Sequence, residues 1–199
     1  MAKVKQTQKQ WETREFEVPL NGTSATYSDY VLTLTGPKGE TSKYFKYPNV
    51  NITVEEDAIK ISTQYLSRRE NKIMKTYKAH IENLIKGVSE GFEYKLRVVY
   101  EKFPVTVEAK DSVFTVKNFL GEKNPRTLTL PNDVDVKVNG SEITVSGLNK
   151  ERCGQVAASI EQLCKKTNMD KRVVQDGIYI IEKPHVNYVW GREKWQKNY

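Results

Sequence analysis

From Val31 the chain alternates apolar and polar positions, Val31-Leu32-Thr33-Leu34, which is the period-two signature of a strand with one buried face. A glycine-rich turn follows at Gly36-Pro37-Lys38-Gly39-Glu40, then Val50–Val54 and Ile59–Ile61 as a hairpin closed by Glu55-Glu56-Asp57. The period changes at Met74. Met74, Tyr77, Ile81, Leu84, Ile85 and Val88 recur at helical spacing and predict an amphipathic helix that ends near Gly87. Tyr94, Leu96, Val98 and Tyr100 alternate again as a strand.

The second half follows the same order. Val105–Val107 and Val113–Val116 predict strands around the turn Asp111-Ser112, and the charged turn Asn118-Phe119-Leu120-Gly121-Glu122-Lys123 comes next. Val134–Val138 and Ile143–Val145 flank Asn139-Gly140-Ser141, where asparagine and glycine tolerate the positive φ of a tight hairpin. Val156, Ala157, Ile160, Leu163 and Cys164 mark a second helix, and Ile178–Ile181 a closing strand. Val31 and Val113, Gly39 and Gly121, and Glu40 and Glu122 each stand 82 positions apart. Ile59 and Ile143 stand 84 apart, and Ile81-Glu82-Asn83-Leu84 recurs 79 later as Ile160-Glu161-Gln162-Leu163. Such a small drift over a concordant order predicts a duplication with loop insertions. The expected fold is α+β: two tandem duplicated domains, each a small, mostly antiparallel sheet packed with one helix. The expected boundaries are a basic arm over 1–20, domains over 21–101 and 102–184, and a basic aromatic tail over 185–199.

Composition narrows the function. The 199 residues hold 32 Lys and Arg against 25 Asp and Glu, a net charge of +7 that favours an anionic partner. The opening MAKVKQTQKQ lacks the apolar core of a secretion signal, and no apolar run reaches the ~18 residues of a membrane span, so an intracellular protein with no membrane partner is expected. The sequons at Asn21, Asn51 and Asn139 then read as turn and strand residues. Cys153 and Cys164 lie eleven positions apart on one helix, too far for a disulfide at ~1.5 Å of rise per residue.

Catalytic chemistry finds no specific support. His80 and His185 have no cysteines at metal-ligand spacing, so no metal or cofactor is expected. The stretch Gly36-Pro37-Lys38-Gly39-Glu40 lacks the spacing of a phosphate loop and puts glutamate where its lysine belongs. Cations, by contrast, gather in clusters: Arg68, Arg69, Lys72, Lys75 and Lys78 at the first helix, Lys117, Lys123 and Arg126 around the second glycine turn, and Lys165, Lys166, Lys171 and Arg172 where the second helix ends. Lys3, Lys5, Lys9 and Arg14 lie in the arm, and the tail interleaves Tyr188, Trp190, Trp195 and Tyr199 with Arg192, Lys194 and Lys197. Cations neutralise phosphates and aromatics stack on bases, which points to RNA.

From about Val31 to Lys183 the chain resembles the L-six family of large-subunit ribosomal proteins (L-nine in eukaryotic naming), in its archaeal and eukaryotic form. The likeness rests on Gly36-Pro37-Lys38-Gly39, Ile85-Lys86-Gly87-Val88 with Gly91-Phe92, Tyr94–Tyr100, Phe103-Pro104, Asn118–Lys123 and Asp176-Gly177-Ile178-Tyr179. Within the family's C-terminal motif, Arg172, Asp176, Gly177, Ile178, Tyr179 and Lys183 agree, while Lys166, Met169 and Val174 depart. The resemblance implies a non-enzymatic, cytoplasmic constituent of the large ribosomal subunit. It would be monomeric there, bound to rRNA near the sarcin-ricin region and the factor-docking site, with neighbouring ribosomal proteins as further partners. The expected RNA-binding residues are Lys117, Asn118, Gly121, Lys123, Arg126, Lys165, Lys166, Lys171, Arg172, Tyr179 and Lys183, with Arg68 and Arg69 from the first helix. The competing reading is an RNA-processing or protein-interaction scaffold outside the ribosome.

Overall fold

The computed structural model describes residues 14–64, 67–167, 169–170 and 172–184. It divides into two compact units between Ser89 and Glu90. The arm before Arg14 and the tail from His185 lie outside the described residues.

In the first unit, β1 (Arg14–Pro19), β5 (Asn51–Val54) and β6 (Ala58–Thr63) form one antiparallel sheet in the order β1-β6-β5. A second sheet runs β2-β3-β4, from β2 (Ser24–Ser28), β3 (Val31–Gly36) and β4 (Gly39–Tyr44). Helix α1 (Arg68–Ser89) covers both sheets, and its Met74, Ile81, Leu84, Ile85 and Val88 meet Leu32, Leu34, Ile59 and Ile61 in the core. The last residues of the expected arm, Arg14–Pro19, are strand β1, because Phe16 and Val18 alternate inward against Ile61 and Ile59. The helix also starts two turns earlier than its apolar stripe. Ser67 caps it: Arg69 N–H donates to Ser67 Oγ at 3.1 Å, and the Ser67 hydroxyl donates to the Glu70 carboxylate. The signal, Ser67-Arg68-Arg69-Glu70, is a capping box in the sequence.

The second unit repeats the plan. Its strands are β7 (Phe92–Val99), β8 (Thr106–Lys110), β9 (Val113–Lys117), β10 (Arg126–Thr129), β11 (Val134–Asn139) and β12 (Glu142–Gly147), followed by α2 (Lys150–Leu163) and β13 (Gly177–Glu182). They form the sheets β10-β9-β8 and β11-β12-β7-β13. Strand β7 therefore opens the second copy as β1 opens the first: each pairs with the return strand of its unit's late hairpin. In linear order β7 follows α1 and reads as the end of the first copy, yet its Tyr94, Leu96 and Val98 are buried with Ile143, Val145 and Ile160. Strand β13 has no counterpart among the described residues of the first unit and lies antiparallel on the other edge of β7. Cys153 and Cys164 are buried free thiols, pushed up to about 11 by desolvation and so held as inert thiol.

The turn between β3 and β4 docks on the helix of its own unit. Lys38 N–H donates to the Val88 carbonyl at 3.1 Å, and Gly36 lies so close that a Cβ there would overlap the Val88 side chain. Val88 is fully buried and β-branched, so it cannot swing aside. Gly36→Ala should therefore lower unfolding free energy by about 1–3 kcal/mol in a denaturant titration; an unchanged midpoint would refute the close packing. The Ser67 hydrogen bond, with further bonds from Glu70's own backbone N–H, Asn49 and Tyr47, holds the Glu70 carboxyl below its ordinary value. A carboxyl depressed by folding contributes stability above the ordinary carboxylate range and loses it as pH falls through the folded value. Glu70→Gln should thus flatten the acid limb of a Tm-against-pH curve relative to wild type.

Candidate nucleic-acid interface

The second glycine turn is less exposed than its charges suggest. Phe119 is 1% exposed and belongs to the core, anchoring a short 3₁₀ turn over Phe119–Gly121. Asn118 and Leu120 adopt left-handed backbone, φ 59° and 53°, as does Gly121 at 78°. The Asn118 side-chain amide donates to the Pro104 carbonyl at 3.0 Å, which holds the entry of the turn, and the Phe103 ring lies 3.6 Å from where a Cβ on Gly121 would stand. Asparagine and glycine are the residues that adopt this backbone at least cost.

Arg126, at the start of β10, ties this turn to the helix. Its guanidinium donates to both Glu122 carboxylate oxygens, at 2.9 and 2.6 Å, and to the Leu163 carbonyl at the end of α2 at 2.7 Å. It also lies 4.6 Å from the centroid of the Phe119 ring. Three kinds of contact thus converge on one planar cation, a geometry lysine cannot reproduce. The hydrogen bond from Arg126 holds the Glu122 carboxyl below its ordinary value, and the same bond raises Arg126.

The other expected contacts separate by partner. Lys117 pairs with Glu108 at 3.1 Å across β8 and β9. The Lys166 ammonium donates to the Val174 carbonyl, closing the loop between α2 and β13. Arg172, almost wholly exposed, stands 3.9 Å from Asp170. The Tyr179 hydroxyl donates to the Gln175 carbonyl at 3.0 Å, and partial burial raises its pKa. Lys183 is exposed just beyond β13, and Lys171 lies outside the described residues. Lys123 and Lys165 are exposed and have no ion pair among the described residues. Arg68 and Arg69 are exposed on the first turn of α1, in the other unit, with Arg69 5.7 Å from the Tyr47 ring centroid.

The structure therefore brings two of the sequence clusters together. Arg126 joins the Asn118–Lys123 turn to the end of α2, two residues before Lys165. Beside it a cavity of about 270 Å³ is lined by Glu161, Gln162, Cys164, Lys165, Lys166 and the start of β13 at Gly177–Tyr179. Two residues that the sequence reading named only within family-like stretches act as supports. Asp176, 3% exposed, accepts from Glu101 N–H at 3.0 Å and fixes where β13 begins. Phe119, part of the charged turn in the sequence, is the other, since its burial anchors that turn.

Arg126→Ala should destabilise the protein by about 1 kcal/mol or more, the usual worth of charge-assisted hydrogen bonds discounted for partial exposure. Arg126→Lys should recover less than half of that loss in thermal unfolding. Full recovery by lysine would show that charge alone matters there.

Comparison with known proteins agrees with this architecture. Residues 19–91 and 103–177 each match the family model described as Ribosomal protein L6. The large ribosomal subunit protein uL6 of Methanobrevibacter smithii is 42% identical over 169 residues, 85% of this chain and 94% of the relative. That of Methanosarcina mazei is 43% identical over 170 residues, covering 85% and 96%, and that of Archaeoglobus fulgidus is 41% identical over 178 residues, covering 87% and 91%. Two family matches on two duplicated units, and relatives aligned over nearly their whole length, place this chain in the ribosomal protein L6 family.

Proposed function

We propose that the protein is a structural constituent of the large ribosomal subunit and grips large-subunit rRNA with the second unit, at the end of α2. The carrying observation is the convergence at that helix end. Arg126 fastens the glycine turn to Leu163, and the assembly leaves Lys123 and Lys165 exposed without an acidic partner among the described residues. A cation already paired with a carboxylate offers a phosphate little, because its field is neutralised locally. An unpaired one on a rigid support releases counterions on binding. Lys117 and Arg126 accordingly hold the surface in shape, Lys166 is bound to the Val174 carbonyl, and Lys123 and Lys165 contact phosphate.

Recognition is by shape. The turn and the carboxyl end of α2 form relief that fits folded RNA, with the phosphate contacts setting position. The family likeness supports a location near the sarcin-ricin region and the factor-docking site of the cytoplasmic ribosome, with neighbouring ribosomal proteins as partners and no chemistry of its own.

The test is binding of the whole chain to large-subunit rRNA across a salt series. The double variant Lys123→Glu, Lys165→Glu should weaken binding at least tenfold and reduce the slope of log K against log salt by about one per lost phosphate contact. Its far-ultraviolet circular dichroism and Tm should stay at wild-type values. Unchanged affinity and slope would overturn the assignment of these two lysines.

A further inference from the structure

The helix end that carries Lys165 also carries a carboxylate that neither the fold nor phosphate binding explains. Glu161 is half-buried, lies in the last turn of α2, and has no hydrogen bond or ion pair among the described residues. A negative charge there opposes the helix dipole and repels phosphate. The duplication supplies a control. Glu82, its counterpart in the repeated stretch on α1, stands 3.9 Å from Lys78, one turn before it. In α2 the place of that lysine is taken by Ala157, which is fully buried. Lys165, four positions after Glu161, is past the helix. Cys164 leaves helical backbone at φ −97° and ψ 17°, which breaks the register of an i,i+4 pair. The second copy keeps the carboxylate and withdraws its partner.

Glu161 lines the cavity of about 270 Å³ at the end of α2. Cys164 and Ile178, both buried, give that cavity apolar lining. Tyr179 forms part of its wall, and the ring is held in place from two sides. It lies back over Gly177, where a Cβ would stand 3.1 Å from Tyr179 Cζ, and its hydroxyl donates to the Gln175 carbonyl at 3.0 Å. Lys165 adds an exposed cation to the same lining. An apolar lining, a fixed aromatic ring and a few convergent polar groups are what a pocket for a small planar ligand needs.

We infer that this cavity takes one unpaired guanine of the rRNA, read by Glu161 and flanked by the Tyr179 ring. This rests on the rRNA assignment above and deepens it from phosphate contact to base recognition. A carboxylate only accepts hydrogen bonds, and its two oxygens match two parallel donors. Guanine presents such a pair, N1–H and N2–H, on its Watson–Crick edge. Adenine and cytosine set an acceptor nitrogen beside their amino group, and uracil flanks its N3–H with carbonyl oxygens. Each of these turns a repelling lone pair toward the carboxylate. Unpaired RNA bases are read on that edge and stack on aromatic side chains. Lys165 gives the adjoining backbone its counter-charge.

Footprinting and binding of the full chain on large-subunit rRNA test this. A dicarbonyl reagent that adds across N1 and N2 of unpaired guanine maps which guanines the chain shields. One guanine should be shielded by wild type and reactive again under saturating Glu161→Gln. That variant should bind about tenfold more weakly, the loss of one bidentate base contact, with the slope of log K against log salt unchanged because no phosphate contact is lost. Its Tm should hold or rise, since a charge opposed to the helix dipole is gone. In a synthetic fragment of the rRNA, inosine at the shielded position lacks the N2 amino group. It should cost wild type about fivefold and the variant less than about twofold. Unchanged or tighter binding by Glu161→Gln is what a carboxylate that only repels phosphate gives, and it overturns the inference. Shielding that the variant retains, or equal sensitivity to inosine, does the same. Guanosine monophosphate that displaces the rRNA at micromolar concentration assigns the cavity to a free nucleotide and also overturns it. Failure of wild type to bind large-subunit rRNA overturns the rRNA assignment together with the inference.

Discussion

Each unit depends on how the carboxyl end of its helix is satisfied. The last carbonyls of a helix have no partner within it and must find donors elsewhere. In the first unit the backbone N–H of Lys38 supplies one to Val88; in the second the Arg126 side chain supplies one to Leu163. The donors come from neighbouring places in the duplicated plan, Lys38 in the turn after β3 and Arg126 at the start of β10, just past the turn after β9. A glycine turn placed there latches the outer sheet to the helix, and Gly36 in one copy and Phe119 in the other press that latch into the core.

The two latches differ in kind, and this difference bears on function. A backbone donor leaves nothing to vary, and the first turn is a tight hairpin with Gly36 opposite Gly39. A side-chain donor allows the turn to widen, so the second copy holds a 3₁₀ turn, a buried phenylalanine and a lysine at its rim. Arg126 bridges the wider gap and takes Glu122 with it. The charge that makes the second surface basic is therefore partly internal wiring. What faces outward is the smaller set left unpaired.

Much of this was legible in the sequence. Alternation gave β3, β9 and the two late hairpins, helical spacing gave α1 and α2, and the nearly constant offset gave the duplication. The phase of the repeat was not legible, because β7 follows α1 in the chain and only pairing with β12 shows which unit owns it. Strand β1 was hidden for a related reason: Arg14, Glu15 and Glu17 make its linear pattern polar, although Phe16 and Val18 face the core. At the candidate site, residue type marked the cations but could not separate them. Whether an arginine meets a carboxylate, a helix carbonyl or solvent depends on contacts 37 residues apart in the chain, as between Arg126 and Leu163.

The central claim is that Arg126 works inside the protein while Lys123 and Lys165 work outward. An experimental structure of the assembled large subunit, at a resolution that places side chains, tests it most directly. The account predicts Arg126 still on Glu122 and the Leu163 carbonyl, with the ammonium groups of Lys123 and Lys165 in ion-pair range of rRNA phosphates. Arg126 turned out onto a phosphate, with the Leu163 carbonyl released and the two lysines in solvent, would contradict it.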